Sequence, residues 1–427
     1  MMLQRPLSVL IPLLAIACAL LGAAPARAQM HGSVPSLPEV RSMPAVRSLP
    51  AVPDHGAGMS GSPAAPSMQS VDDMRLGPQA LTRKLQIATL LREEPGRVGV
   101  DPHGAPILLG QFLAMGLSGA QLDMVQAQGF VADREASADA TLGLDLVVLH
   151  DTQGRSAVQA MRALQQLAPN ATFAYQHLYL PSGAGDAAQD NTSATGPSTV
   201  MPRRVGLIDG GVDPAGPALA HAHIEPYGCK TASVSRHGTA VAARLVDGDT
   251  DALYAADLWC GNTVGGETSS LVEALAWMAR EHVPVINISL VGPDNPVLAR
   301  AVQVMIARGH VLVAAVGNDG PAAPPLFPAA YPGVIGVSGV DAHDRVLPES
   351  GSGDQVAFCA LGVVGSGQRA MRGTSFAAPI VARRAAQLLD APRKGAAAWV
   401  LQRLASEARD LGPPGRDPRY GYGLLSP

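Results

Sequence analysis

The chain has 427 residues, 47% of them hydrophobic and 15% charged, with a formal net charge of −4. That length leaves room for two or three domains, and that apolar content suits packed cores rather than a wholly disordered chain. A slight acidic excess with only 4% aromatic residues supplies neither a basic footprint nor a base-stacking surface, so no nucleic-acid partner is expected.

Residues 1–28 read as a secretory signal peptide. Arg5 gives a positive start, residues 7–21 are apolar, and Ala26-Arg27-Ala28 forms an A-x-A cleavage site before Gln29. The apolar run is shorter than the roughly 20 residues a spanning helix needs, so no transmembrane anchor is expected. A lipoprotein signal at Cys18 ranks second, because Ala15-Ile16-Ala17-Cys18 lacks the usual leucine three residues ahead. The mature protein is therefore expected to be exported, to a periplasm or to the extracellular space. Residues 29–79 are rich in Pro and Ser. Within them Val40-Arg41-Ser42-Met43-Pro44-Ala45-Val46 is nearly repeated by residues 46–52, which reads as an extended, disordered tether.

Residues 80–180 read as a separate α+β unit. A lead-in helix over 81–92 precedes a strand over 106–113. Ser118-Gly119-Ala120-Gln121 is a capping box, opening a helix to 128 that Gly129 stops. Strands follow over 130–134 and 144–150. A helix over 155–167 has apolar residues at 157, 158, 161 and 164, and a last strand spans 172–180. The order β-α-β-β-α-β is that of a ferredoxin-like unit. Residues 181–203 are rich in Gly, Ala, Ser, Asp, Thr and Asn with three prolines, a linker by composition.

From Val205 strands and helices alternate. Strands are expected over 205–208, 253–258, 283–290, 311–316 and 334–340, and helices over 237–245, 271–280, 296–307 and 375–389. The strand runs are apolar throughout, as in a parallel sheet buried on both faces. Residues 204–427 should thus form a doubly wound, mostly parallel α/β domain, with its ligand at the C-terminal ends of the strands.

Four polar residues fall at element ends. Asp209 closes the strand 205–208 ahead of Gly210-Gly211. His237 opens a helix, Asn318 follows the strand 311–316, and Ser375 in Gly373-Thr374-Ser375 opens another helix. Each has a plain reading alone: a turn former, a helix-start residue, a turn asparagine and an N-cap serine. Together they are the parts of acyl transfer: a hydroxyl nucleophile, an imidazole base, a carboxylate to orient it and an amide donor for an oxyanion.

In the order Asp, His, Asn, Ser, these motifs resemble the subtilisin-like serine proteases (subtilases) from about Val205 to the C-terminus. The resemblance implies a serine endopeptidase that hydrolyses polypeptide substrates through an acyl-enzyme. Asp209, His237 and Ser375 would be its triad, and Asn318 would donate to the oxyanion. In subtilisin, loss of that Asn lowers turnover by ~10²–10³. Substrate would add as a strand along Ser289-Leu290-Val291-Gly292, with Ala314, Ala315 and Gly317 walling a first pocket roomy enough for a sizeable apolar side chain. The unit 80–180 resembles the family's propeptide, an intramolecular chaperone and inhibitor, so the chain would be a self-processing zymogen cut between about 179 and 198. No cofactor and no specific metal is expected.

Two residues depart from the family pattern. Gly210 stands where Thr or Ser is usual, which removes a hydroxyl beside Asp209. Arg372 stands where Ser is usual, which puts a charge near the cleft. Cys229 and Cys260 should sit near the same end of the sheet and are paired as a disulfide, while Cys359 in an apolar run reads as a buried free thiol. Two other readings stay open: a non-enzymatic relative that binds peptide strands or stays locked by its own propeptide, and an adhesion protein tethered through residues 29–75.

Overall fold

The computed structural model describes residues 78–133, 141–182, 203–229, 233–246, 251–261, 265–366 and 370–427. All lie in one of the chain's two compact units, residues 66–427. The expected signal peptide, all but the last two residues of the tether and nearly all of the linker fall outside the described residues.

The N-terminal region runs α1 (Pro78–Glu93), β1 (Val98–Val100), β2 (Pro106–Met115), α2 (Gly119–Ala127), β3 (Phe130–Asp133), β4 (Leu146–Asp151), α3 (Ala157–Leu167) and β5 (Thr172–Pro181). The expected element order is present. Both α2 and α3 start at reciprocal Ser/Gln boxes, Ser118 with Gln121 and Ser156 with Gln159, which satisfy backbone groups that a short helix leaves open. Strands β5, β2, β4 and β3 pair antiparallel in that order. One sheet face is covered by α2 and α3 through Phe112, Leu149, Val125 and Leu164. Val158, expected in the apolar stripe of α3, is exposed, and the buried face is Ala160, Met161 and Leu164.

The C-terminal region runs β6 (Arg203–Asp209), β7 (His223–Tyr227), α4 (Arg236–Leu245), β8 (Asp251–Asp257), β9 (Gly266–Glu267), α5 (Thr268–Arg280), β10 (Val285–Ile288), β11 (Leu290–Val291), α6 (Pro296–Ala307), β12 (Val311–Ala315), β13 (Ile335–Val340), β14 (Val356–Leu361), β15 (Val363–Val364), β16 (Met371–Arg372), α7 (Thr374–Ala386) and α8 (Ala396–Glu407). Its sheet is parallel, ordered β14-β13-β12-β10-β6-β8-β7. α4, α7 and α8 pack on one face and α5 and α6 on the other, so β10 and β12 are buried along their whole length. β6 is where the strand order reverses, the place at which such sheets open a crevice beyond their C-terminal ends.

Several boundaries differ from the sequence reading. α1 starts at Pro78, inside the stretch expected to be a tether. Pro181 and Arg203, expected in the linker, belong to β5 and β6. The run 283–290 breaks at Ser289: β10 stays in the parallel sheet, and β11 turns away to pair with β5. Among the described residues no helix is long and apolar enough to cross a membrane.

Candidate active site

Asp209 ends β6 and is fully buried. Its Oδ1 accepts from the Gly210 N–H at 2.6 Å and from His237 Nδ1–H at 2.9 Å, while Oδ2 has no hydrogen-bond partner among the described residues. His237 is held in the first turn of α4, whose N-cap Ser235 accepts the Gly238 N–H at 3.2 Å. Gly238 is needed for this closeness, since a Cβ there would lie 2.4 Å from the Gly210 carbonyl oxygen. With Nδ1 donating to the carboxylate, the neutral ring presents Nε2 as an acceptor. Nε2 is buried and has no partner among the described residues, and the ring centroid is 5.2 Å from that of Phe376. The departure at Gly210 has a packing reason. A Cβ there would meet Trp259 Cε3 at 2.4 Å and Ser235 Cβ at 2.8 Å, so the indole fills the space a side chain would need.

Ser375 is in the first turn of α7. Gly373, the N-cap, has φ 148° and ψ 169°, a backbone region open essentially to glycine alone. Pro379 lies inside the helix and has no N–H to give to the Ser375 carbonyl four residues back. That carbonyl instead accepts from Ser289 Oγ at 3.3 Å. The Ser375 N–H donates to the Ser182 carbonyl at 3.2 Å, and Ser375 Oγ donates to the same oxygen and lies 3.5 Å from the Ser289 carbonyl. Ser375 Oγ is thus turned to Ser182 and not hydrogen-bonded to His237 Nε2. Asn318 follows β12. Its Oδ1 accepts the Thr374 N–H at 3.0 Å, which turns Nδ2 toward Ser182 Oγ at 3.1 Å. Thr374 Oγ1 also meets Ser182 Oγ at 2.9 Å and accepts the Gly317 N–H at 3.2 Å.

Ser182 follows β5, and the end of β5 lies as a strand between β9 and β11. Leu178 and Tyr179 pair with Glu267 and Gly266 on one side, and Leu180 and Pro181 with Val291 and Leu290 on the other. The ladder continues with the Ser182 N–H to the Ser289 carbonyl at 3.2 Å. Of the expected binding stretch, Ser289, Leu290 and Val291 therefore carry this strand. Gly292 bonds to Phe327 instead, and its missing Cβ leaves room for the Tyr179 ring, which would be 2.5 Å away. Tyr179 is fully buried and donates its hydroxyl to the Pro293 carbonyl at 2.9 Å. Ala314 and Ala315 are buried in β12, and Leu326 Cδ1 lies 2.6 Å from where a Gly317 Cβ would be.

Arg372 does not offer a loose charge to the cleft. It forms a two-pronged pair with the buried Glu349, at 2.7 and 3.1 Å. Cys229 and Cys260 are joined in a disulfide. Cys359 is free and buried, and burial pushes its thiol up to about 12, which keeps it protonated and unreactive near neutrality. The roles of Tyr179, Ser182 and Trp259 were not read from the sequence; the run Tyr179-Leu180-Pro181-Ser182 at the end of an apolar strand was the available signal.

The sequence profile of the subtilase family (peptidase S8) matches residues 204–423. Minor extracellular protease Epr of Bacillus subtilis (strain 168) is 32% identical over 167 residues, which are 38% of this chain and 26% of that protein. Subtilisin of Bacillus pumilus is 30% identical over 251 residues, 52% of this chain and 88% of that protein. The chain therefore covers most of one relative and about a quarter of the other. The crystal structure of fervidolysin from Fervidobacterium pennivorans, a keratinolytic enzyme related to subtilisin, shares the fold. The TM-score is 0.61 at 18% identity, over 75% of this chain and 60% of that one. That share of this chain is too large for residues 203–427 alone, so the likeness of fold extends into the N-terminal region.

Proposed function

This chain belongs to the subtilase family, and from that premise we propose that it is an exported serine endopeptidase made as a self-processing zymogen. One observation carries the reading. The segment 178–182 of the chain's own N-terminal region lies in the cleft as an added antiparallel strand, with the Ser182 carbonyl on the N–H and hydroxyl of Ser375. A peptide substrate bound by β-augmentation would take the same ladder.

The reaction follows from the groups at hand. Ser375 Oγ attacks the Ser182 carbonyl carbon as its proton passes to His237 Nε2. Asp209 holds Nδ1–H and stabilises the imidazolium that forms. The oxygen of the tetrahedral intermediate is held by the Ser375 N–H and, after a small shift, by Asn318 Nδ2, which already faces Ser182. Collapse breaks the bond from Ser182 to the Gly183 nitrogen, which takes the proton from His237. Water then attacks the acyl-enzyme, again with His237 as base, and releases the Ser182 carboxylate and free Ser375. The carboxyl-terminal strand of the cut N-terminal region is left in the cleft as an inhibitor. Residues 78–182 thus act as propeptide and as the template on which α5 and α6 pack.

The Epr relative is named as an extracellular protease, which together with the signal-like residues 1–28 supports export. A fluorophosphonate probe tests the catalytic claim. The processed protein should label at Ser375 and hydrolyse a Tyr-Leu-Pro-Ser peptide amide, and Ser375→Ala should do neither. Failure of the wild type to label would leave a peptide-binding relative in place of the enzyme.

A further inference from the structure

The imidazole of His237 stands on the first turn of α4, and the segment that leads into that turn is fastened to the end of β8. Cys229, which lies ahead of α4, is bonded to Cys260, in the turn that follows β8. Asp257, the last residue of β8, ties the same two segments a second time. Its Oδ2 accepts from Ser233 Oγ, and its Oδ1 accepts the N–H of Trp259 at 2.9 Å and that of Cys260 at 3.1 Å. Asp257 is buried, and a carboxylate oxygen of it lies within 4.8 Å of both sulfurs. Ser233 leads on to Ser235, which caps α4 and donates its own N–H to the Gly211 carbonyl at 2.9 Å. The segments meet without slack, since a Cβ on Gly211 would lie 1.9 Å from the Ser233 carbonyl oxygen. Cys260 has a φ of 50°, a left-handed conformation that a residue with a side chain keeps only where its surroundings impose it.

This fastening bears on the Asp209–His237 contact from both sides. Trp259 fills the space at Gly210, so no side chain there can steady the carboxylate. Asp209 Oδ2 has no hydrogen-bond partner among the described residues, and Oδ1 is aimed by the Gly210 N–H and by the imidazole itself. Where the imidazole stands therefore matters more. Trp259 and Cys260 are adjacent in one turn: the first packs on the residue after Asp209, and the second is bonded into the segment ahead of His237.

We propose that the Cys229–Cys260 disulfide and Asp257 form a clamp that positions His237 for proton transfer, and that opening the disulfide lowers turnover while the fold and the substrate strand stay in place. This rests on the endopeptidase reading. All three are positioning residues, acting through the backbone of Ser233 to Ser235. Opening requires a reductant, a dithiol or a phosphine. It supplies two electrons and is itself oxidised, the S–S bond breaks, and each sulfur takes a proton. Cys260 is exposed, so the bond is open to such a reagent. Asp257 then holds Ser233 alone. The enzyme reaches its full rate only where disulfides persist, outside a reducing cytoplasm.

The test uses processed wild type whose active sites are counted by fluorophosphonate while the bridge is closed. A phosphine then reduces it, and free thiols are counted by alkylation and mass. Cys359 is buried in a separate cluster with Val340 and Leu424, so its labelling reports unfolding. Two labelled thiols are expected, with kcat lower by about tenfold or more, because a misplacement of about 1 Å can cost ~10²-fold. KM should not change, and reoxidation of unlabelled protein should restore kcat. With the bridge closed, Asp257→Ala should also lose kcat, and Asp257→Asn, which keeps an acceptor for the Trp259 and Cys260 N–H groups, should recover it. Two labelled thiols with kcat unchanged, or a loss confined to KM, overturns the clamp alone. Labelling of Cys359 on reduction does the same, since the bridge would then be holding the fold and not the imidazole. A wild-type chain with its bridge closed that takes no fluorophosphonate overturns the endopeptidase reading and the clamp with it.

Discussion

The two sheets differ in what completes them. β10 and β12 of the C-terminal sheet are buried end to end under helices of their own region, α4 and α7 on one face and α5 and α6 on the other. The N-terminal sheet has its own helices on one face only. Its other face, through Leu113, Leu146 and Val148, shares one core with Leu271, Leu275 and Val302 of α5 and α6. Strand β5 goes furthest: residues 178–180 are at most 4% exposed because β9 and β11 of the other region enclose them. Apolar burial contributes roughly 25 cal/mol per Å², so much of what holds the N-terminal region folded lies in its partner region. Such a region is suited to dock strongly while whole and to fail once displaced.

The largest break in this comparison should come at Tyr179. Tyr179→Ala in the uncut Ser375→Ala chain removes a fully buried ring and its 2.9 Å hydroxyl bond to Pro293. The expected cost is about 3–5 kcal/mol, as for other large aromatic truncations. Denaturant unfolding should split into two transitions, the N-terminal region melting first and the C-terminal midpoint unchanged. A single transition shifted as a whole would mean that the two regions fold as one unit.

A smaller and graded effect should come from His177 on β5. Its Nε2 is 3.2 Å from Asp101 Oδ2, and its Nδ1 is 3.0 Å from Asn295 Nδ2. Asn295 Oδ1 is committed to capping α6 through the Val297 and Leu298 N–H groups, so Nδ2 faces the ring and Nδ1 must accept. Burial pulls His177 below its ordinary value, with Asp101 and then Asp294 opposing; Tyr175 packs edge-on at 5.9 Å. The undocked region then binds more protons below about pH 6.5. Docking is therefore at full strength above that pH and is lost as pH falls, by at most about 1.4 kcal/mol per pH unit. Release of the cut N-terminal region, followed by size exclusion, should be faster at pH 5 than at pH 7.5, and His177→Gln should flatten that difference.

Much of the C-terminal region was legible because its chemistry sits at element ends. Asp209 and Asn318 follow continuous apolar runs, and His237 and Ser375 open helices with small residues around them. The capping box Ser118–Gln121 made α2 readable, and the ferredoxin-like order followed from the alternation of elements in the N-terminal region. What the sequence hid is long-range. Nothing near Gly210 announces that Trp259 takes its space, and nothing near Arg372 points to Glu349. Arg83 reaches Val291 and Asp319 across a separation of 208 residues or more, with no local period to betray it. α8 was not anticipated, although Ala397, Val400 and Leu404 recur at helical spacing along its buried face. The break at Ser289 likewise depends on β5 being there to pair with β11.

The most direct measurement is the amino-terminal sequence and intact mass of the purified C-terminal fragment, from wild type beside Ser375→Ala, both expressed without residues 1–28. A wild-type fragment that begins at Gly183, with Ser375→Ala left uncut, is the expected result. A fragment that begins elsewhere in 183–202, or a mutant cut at the same bond, would contradict the assignment of the strand 178–182 as the enzyme's first substrate.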